Sequence, residues 1–166
     1  SSPNTKNLRD LQQDEQLNAL LNRLSLMREK LSQKHGKRTP IALKIAPDLD
    51  GAQMQAIADA VRRHRLDAVI ATNTSVSRAG VEGLPHAAEA GGLSGAPIRR
   101  RANEVLHKMH ALLKNEVPLI GAGGILGGAD AAEKMRAGAS LVQLYTGLIY
   151  RGPQLVGECV SACRAK

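Results

Sequence analysis

The spacing of apolar residues alternates along this chain, and that alternation decides what it can fold into. Stretches with apolar residues every three or four positions, the spacing of one helix face, are separated by short apolar runs of strand length. Leu17, Leu20, Leu21, Leu24, Met27 and Leu31 form the first helical stripe, closed by Gly36 and Pro40. Ile41-Ala42-Leu43-Lys44-Ile45-Ala46 follows as a strand stopped by Pro47. Asp50 and Gln53 are spaced as a capping box for a helix that turns Met54, Ile57, Ala58 and Val61 inward. Ala68-Val69-Ile70-Ala71 is a strand apolar on both faces, as buried parallel strands are. A long loop spans about residues 75–96, too long for an ordinary connector. Ile98, Ala102, Val105, Leu106, Met109, Leu112 and Leu113 mark the next helix. A third strand at residues 117–120, a short helix at 129–137 and a fourth strand at 141–144 come next. The last helix has Pro153 in its first turn and bears Leu155, Val156, Cys159, Val160 and Cys163. Strands that alternate with helices run parallel, joined by helical crossovers. Two α/β architectures satisfy the pattern: an open doubly wound sheet, or part of a (β/α)8 barrel. A complete barrel takes roughly 250 residues, so four strands would be half of one.

Composition narrows the function. The 166 residues are 43% apolar and 23% charged, within globular norms. There are two Tyr and no Phe or Trp, so aliphatic side chains must build the core. The same shortage argues against a single-strand nucleic-acid binder, which needs aromatic stacking platforms. The net charge of +8 is concentrated in clusters such as Arg62-Arg63-His64-Arg65 and Arg99-Arg100-Arg101, which read as exposed helix faces. No partner nucleic acid is expected. No apolar run reaches the roughly 18 residues of a membrane span, and nothing reads as a secretory signal. Cys159 and Cys163 read as two reduced thiols on one helix face, which fits a cytosolic compartment. His107 and His110 lack a carboxylate to complete a metal site, and no metal is expected. The opening Ser1-Ser2-Pro3-Asn4-Thr5 reads as a loop rather than the start of a domain.

The ends of the strands carry the chemistry. Parallel α/β sheets bind ligands at the C-terminal ends of their strands. Lys44 sits inside an apolar strand, where an ammonium needs a partner, and is read as a cation facing a ligand. Thr72-Asn73-Thr74 offers amide and hydroxyl groups just past a strand, suited to the imide edge of a ring, with an Asx turn as the alternative. Gly121-Ala122-Gly123-Gly124 lies between a strand and a helix, where backbone N–H groups can meet a phosphate. The dinucleotide fingerprint fails, because Leu126 stands where a glycine is required. The next strand end, Tyr145-Thr146-Gly147, strengthens the phosphate reading, since the last two loops of barrels often form such a site. Gly91-Gly92-Leu93-Ser94-Gly95 is either an anion nest or a hinge.

Taken in order, the opening pentapeptide, Lys44-Ile45-Ala46-Pro47-Asp48-Leu49, Ala71-Thr72-Asn73-Thr74, the Gly91 to Gly95 segment, the Gly121 to Gly124 segment and Ala137-Gly138-Ala139-Ser140-Leu141-Val142-Gln143-Leu144-Tyr145-Thr146-Gly147 resemble dihydroorotate dehydrogenase. The resemblance covers that family's C-terminal half, from just after the fourth barrel strand. It implies a (β/α)8 TIM barrel of which residues 1–166 supply four strands with their helices. Ser2 stands where the family's soluble class has a Cys base, and Lys44-Ile45-Ala46-Pro47-Asp48 looks like the quinone-dependent class. That class is peripheral on the cytoplasmic face of the bacterial inner membrane, through an N-terminal helical extension absent from this chain.

The resemblance implies oxidation of dihydroorotate to orotate in pyrimidine biosynthesis, with FMN as cofactor and quinone as acceptor. Ser2 would take the substrate's C5 proton while hydride leaves C6. Asn4, Asn73 and Thr74 would hold the pyrimidine ring and its carboxylate. Lys44 would stand by the flavin N1/O2 edge and favour the anionic reduced ring. Thr72 would contact FMN, and Gly95, Gly124, Tyr145 and Thr146 would bind its phosphate. Ala122 stands where many relatives have Val, a change expected to matter little. The family's first four strands supply further flavin and substrate contacts, so the isolated chain is expected to be incomplete. It would pair with its missing N-terminal half, or self-associate through open edges. The alternative is a noncatalytic half-barrel that binds phosphate or self-associates.

Overall fold

The computed structural model describes residues 1–4, 8–12 and 14–164. Thr5, the last residue of the opening motif, lies outside the described residues. After a 3-10 turn over Leu8–Gln12 the order is α1 (Asp14–His35), β1 (Ala42–Ile45), α2 (Gly51–Arg63), β2 (Ala68–Ala71), α3 (Arg99–Leu113), β3 (Leu119–Ala122), α4 (Gly128–Arg136), β4 (Leu141–Gln143), α5 (Thr146–Arg151) and α6 (Gln154–Arg164). The capping box at the start of α2 forms as its spacing requires: the Gln53 N–H donates to Asp50 and the Gln53 side chain accepts the Asp50 N–H.

The four strands form one parallel sheet in chain order, β1-β2-β3-β4. A doubly wound sheet reverses its strand order at a switch point. This sheet advances in one direction, as a barrel wall does. Alternation along each strand gives it two faces. Ile45, Val69, Ala71 and Leu119 face the helices and are buried with Met54, Ile57, Val61, Val105, Leu106 and Met109 of α2 and α3. A second core joins Val142 to Ile125, Ala131, Leu155 and Cys159 beneath α4 and α6. The opposite row holds Lys44, Ile70, Ile120 and Leu141, which are register partners across the sheet. That inner row is open, and Leu141 is 62% exposed. β2 is therefore fully buried on its helix side only, not on both faces.

Other expectations shift. β3 lies two residues later than the apolar run, taking in Gly121 and Ala122 because both pair onward to β4. The short helix α5 gave no periodic signal. Of the α1 stripe only Leu17 and Leu21 are buried, while Leu24, Met27 and Leu31 are exposed. The arginine clusters act as tethers as well as surface. Arg62 reaches Glu116 and the Leu112 carbonyl, and Arg101 reaches the carbonyls of Pro47 and Leu49. Cys159 and Cys163 are free thiols. Among the described residues no helix is long and apolar enough to cross a membrane.

Candidate active site at the strand ends

Lys44 belongs to an edge strand of the four, yet it turns inward. Its Nζ donates to Gln143 Oε1 at 3.1 Å. That bond joins the first strand to the last, so the sheet curls far enough for side chains of β1 and β4 to meet over its inner face. Burial lowers the pKa of the Lys44 ammonium.

The end of β2 is built from backbone bonds. The Thr72 N–H donates to the Ala122 carbonyl at 3.1 Å and the Asn73 N–H to the Ile45 carbonyl at 2.7 Å, so this segment spans the tops of β3 and β1. Thr72 is buried, and its hydroxyl donates to the Asn73 carbonyl at 2.9 Å. Asn73 uses both ends of its amide: Nδ2 donates to Ser1 Oγ at 3.0 Å, and Oδ1 accepts the Thr74 N–H at 2.8 Å. The opening segment is thus fixed over β2. There Ser2 Oγ accepts the Asn4 N–H at 3.2 Å.

The long loop closes the same cluster. Ser75 and Leu93 pair as an antiparallel bridge, and the Ser75 hydroxyl donates to the Asp48 carboxylate. Arg78 holds the loop's return by donating to the carbonyls of Glu89 and Gly91. Gly92 passes so close that a Cβ there would collide with Thr74 and lie 2.7 Å from Pro3 Cγ. The Gly91 to Gly95 segment thus packs against the opening segment and Thr74, and its end, Ser94 and Gly95, lines the site. On the far side Gly124 has φ +77° and packs on the backbone of Arg99, with its missing Cβ 2.9 Å from Arg99 N. Thr146 Oγ1 donates to Ser94 Oγ at 3.0 Å, which ties the start of α5 to the end of the long loop.

These parts enclose one cavity of about 320 Å³, within the range of small-ligand sites. All ten residues singled out in the sequence line it: Ser2, Asn4, Lys44, Thr72, Asn73, Thr74, Gly95, Gly124, Tyr145 and Thr146. Tyr145 is 79% exposed and touches the cavity from its rim. Gln143, Ser94 and Ile98 also line it and were not among the site residues picked from the sequence. Gln143 had one available signal, since it falls on the inward-facing register of β4. The cavity offers an ammonium, three amides, several hydroxyls and glycine-rich backbone. Those groups suit a planar polar ring at one end and an anion at the other. His107 and His110 join no metal group, and no cluster of three potential ligands exists among the described residues.

Comparison with known proteins gives a consistent picture. The family model for dihydroorotate dehydrogenase matches residues 1–163. Dihydroorotate dehydrogenase (quinone) of Burkholderia multivorans is 62% identical over 162 residues, covering 98% of this chain and 47% of that protein. The protein of the same name from Dechloromonas aromatica is 62% identical over 158 residues, covering 95% of this chain and 46% of its own. The structure of DHODH in complex with ferulenol from Eimeria tenella superposes with a TM-score of 0.91 at 35% identity, covering 98% of this chain and 46% of that one. The chain spans about half the length of the curated relatives it matches. A parallel half-barrel with this order of strand-end groups, matched from its first residue to position 163, belongs to the dihydroorotate dehydrogenase family.

Proposed function

We propose that residues 1–166 are the C-terminal half of an FMN-binding barrel whose whole protein oxidises (S)-dihydroorotate to orotate with quinone as acceptor, in de novo pyrimidine biosynthesis. The observation that carries this reading is the convergence of Ser2, Lys44, Asn73, Thr74, Gly124 and Thr146 on one cavity from five separate stretches of chain. Peripheral attachment to the cytoplasmic face of a bacterial inner membrane belongs to the same proposal, by analogy with the quinone-dependent class.

The residues present fit FMN. An ammonium held by a neutral amide, Lys44 on Gln143, is free to meet an electron-rich ring edge. The positive-φ backbone at Gly95 and Gly124 leaves room where a Cβ would stand against Thr146 and Arg99. Gly95, Gly124, Tyr145 and Thr146 would hold the phosphate, and Thr72 and Lys44 the ring. When bound, FMN supplies the acceptor for the hydride from C6 of the substrate.

The chain's own groups do the rest. Ser2 takes the C5 proton. A hydroxyl is a poor base unaided; as Ser2 Oγ takes the C5 proton its own proton would leave to a solvent water, and the Asn4 N–H, which donates to that oxygen, stabilises the negative charge that builds there. Asn4, Asn73 and Thr74 orient the ring and carboxylate, with Asn73 set by its bonds to Ser1 and to the Thr74 N–H. The Lys44 charge favours negative charge on the facing ring edge. In the full-length protein, Ser2→Ala is expected to keep FMN bound and to slow flavin reduction by dihydroorotate by about 10²–10⁴-fold. Reduction at the unaltered rate would remove Ser2 from the role of base.

A further inference from the structure

Behind the cavity lies a charge that the proposed chemistry leaves unused. Lys134, on α4, is fully buried, and its Nζ has no hydrogen-bond partner among the described residues. Its stem rests on Gly121 of β3, where a Cβ would stand 3.0 Å from Lys134 Cβ and 3.1 Å from Cδ. A glycine inside a strand weakens it. Here the glycine makes room for a lysine whose burial is itself unfavourable. A methionine would fill the same slot without that penalty, so the charge needs an electrostatic explanation.

The charge is felt by the groups that hold the loop after β3, Asp130 and Arg99. Helical side chains lean toward the helix N-terminus, and α4 begins where that loop ends. Burial pushes the ammonium down to about 8, Glu133 and Asp130 pull it back up, and Arg99 adds to the push. Asp130 sits one turn before Lys134 and is already engaged. Its carboxylate accepts the Leu126 N–H at 2.9 Å and the Arg99 guanidinium. The Arg99 backbone in turn packs on Gly124. The loop is thus bracketed by two cations and one committed carboxylate, while Glu133, the other acid acting on Lys134, does so from the solvent-exposed side of α4.

We propose that Lys134 is a positioning residue for a phosphate ligand, its buried ammonium, without a hydrogen-bond partner among the described residues, held behind residues 123–126 so that a phosphate on the cavity side of that loop helps to balance it. The proposal rests on the phosphate reading of the Gly124 and Thr146 end. Asp130 and Arg99 fix the loop, and Lys134 sets the potential it presents.

The test compares FMN with riboflavin, which lacks only the phosphate. Both are titrated into the flavin-free full-length protein, with binding read from quenching of flavin fluorescence. The expected result is that Lys134→Met and Lys134→Gln each weaken FMN by roughly tenfold or more and leave riboflavin unchanged. Loss of FMN and riboflavin in equal measure, an unchanged ratio, or a chain that folds with neither substitution would overturn the proposal and make Lys134 a packing residue. A wild-type protein with no preference for FMN over riboflavin would instead refute the phosphate reading beneath it.

Discussion

A lysine taken out of water, in a strand like Lys44 or on a helix like Lys134, is tolerated only if something nearby compensates its charge. Lys44 and Lys134 meet that requirement in different ways. Lys44 could be read from the sequence because its neighbours are apolar on both sides. Its partner Gln143 was harder to read, because a polar residue at a strand end looks like surface and the pair is 99 residues apart. Ser94 was missed for the same reason: its bond to Thr146 depends on how the long loop returns. Lys134 reads as a solvent-facing residue of an amphipathic helix, and only Gly121 on the opposing strand reveals the slot it fills. For Lys44 we expect Lys44→Met to leave FMN bound and to slow its reduction by dihydroorotate by on the order of 10²-fold, measured by anaerobic stopped-flow absorbance. A rate within threefold of wild type would remove the ammonium from the reaction's electrostatics.

The elements are held in place by ion pairs that the composition alone presents as surface charge. Asp67, just before β2, accepts from Arg28 of α1 at 2.9 Å, from Arg38, and from the Ile41 N–H at 2.7 Å. Partial burial alone would raise its pKa, but the Ile41 N–H and the two arginines outweigh burial and hold the carboxyl below the usual carboxylate range. The sign of the pH effect follows. A carboxyl depressed in the folded state contributes stability above its unfolded pKa, and that contribution is lost as pH falls through the folded value. Asp67→Asn is therefore expected to cost about 1–3 kcal/mol near neutral pH, with the gap to wild type narrowing below roughly pH 4. Urea denaturation across pH measures this, and a gap that stays constant to pH 2 would contradict it. Periodicity located most helices and the α2 capping box because those signals are local. It misplaced β3, whose end is set by pairing with β4. It missed α5, which is too short to show a period and contains Gly147. It found the apolar stripe of α1 but not which part of it is buried, because burial depends on what lies opposite, which a single helix does not encode.

At the scale of the molecule, the fold is a wall with two open edges. Leu141, Tyr145, Ile149 and Tyr150 are exposed along and beyond β4, as are Leu24, Leu26 and Met27 on α1 at the other end. Open parallel edges beside apolar surface are templates for pairing. The chain of residues 1–166 expressed by itself is expected to dimerise or aggregate, and a stable, monodisperse monomer by light scattering would contradict that. The chain spans about half the length of its relatives, and on the proposed function the curled sheet, the ten cavity residues and the glycine-lined loop form one side of a site that holds a flavin to which dihydroorotate delivers hydride. The direct measurement is the visible flavin absorbance of the purified full-length protein before and after anaerobic addition of dihydroorotate. The account predicts a yellow protein that dihydroorotate bleaches and that quinone then restores. A protein that takes up no FMN, or whose flavin band is untouched by dihydroorotate, would contradict it.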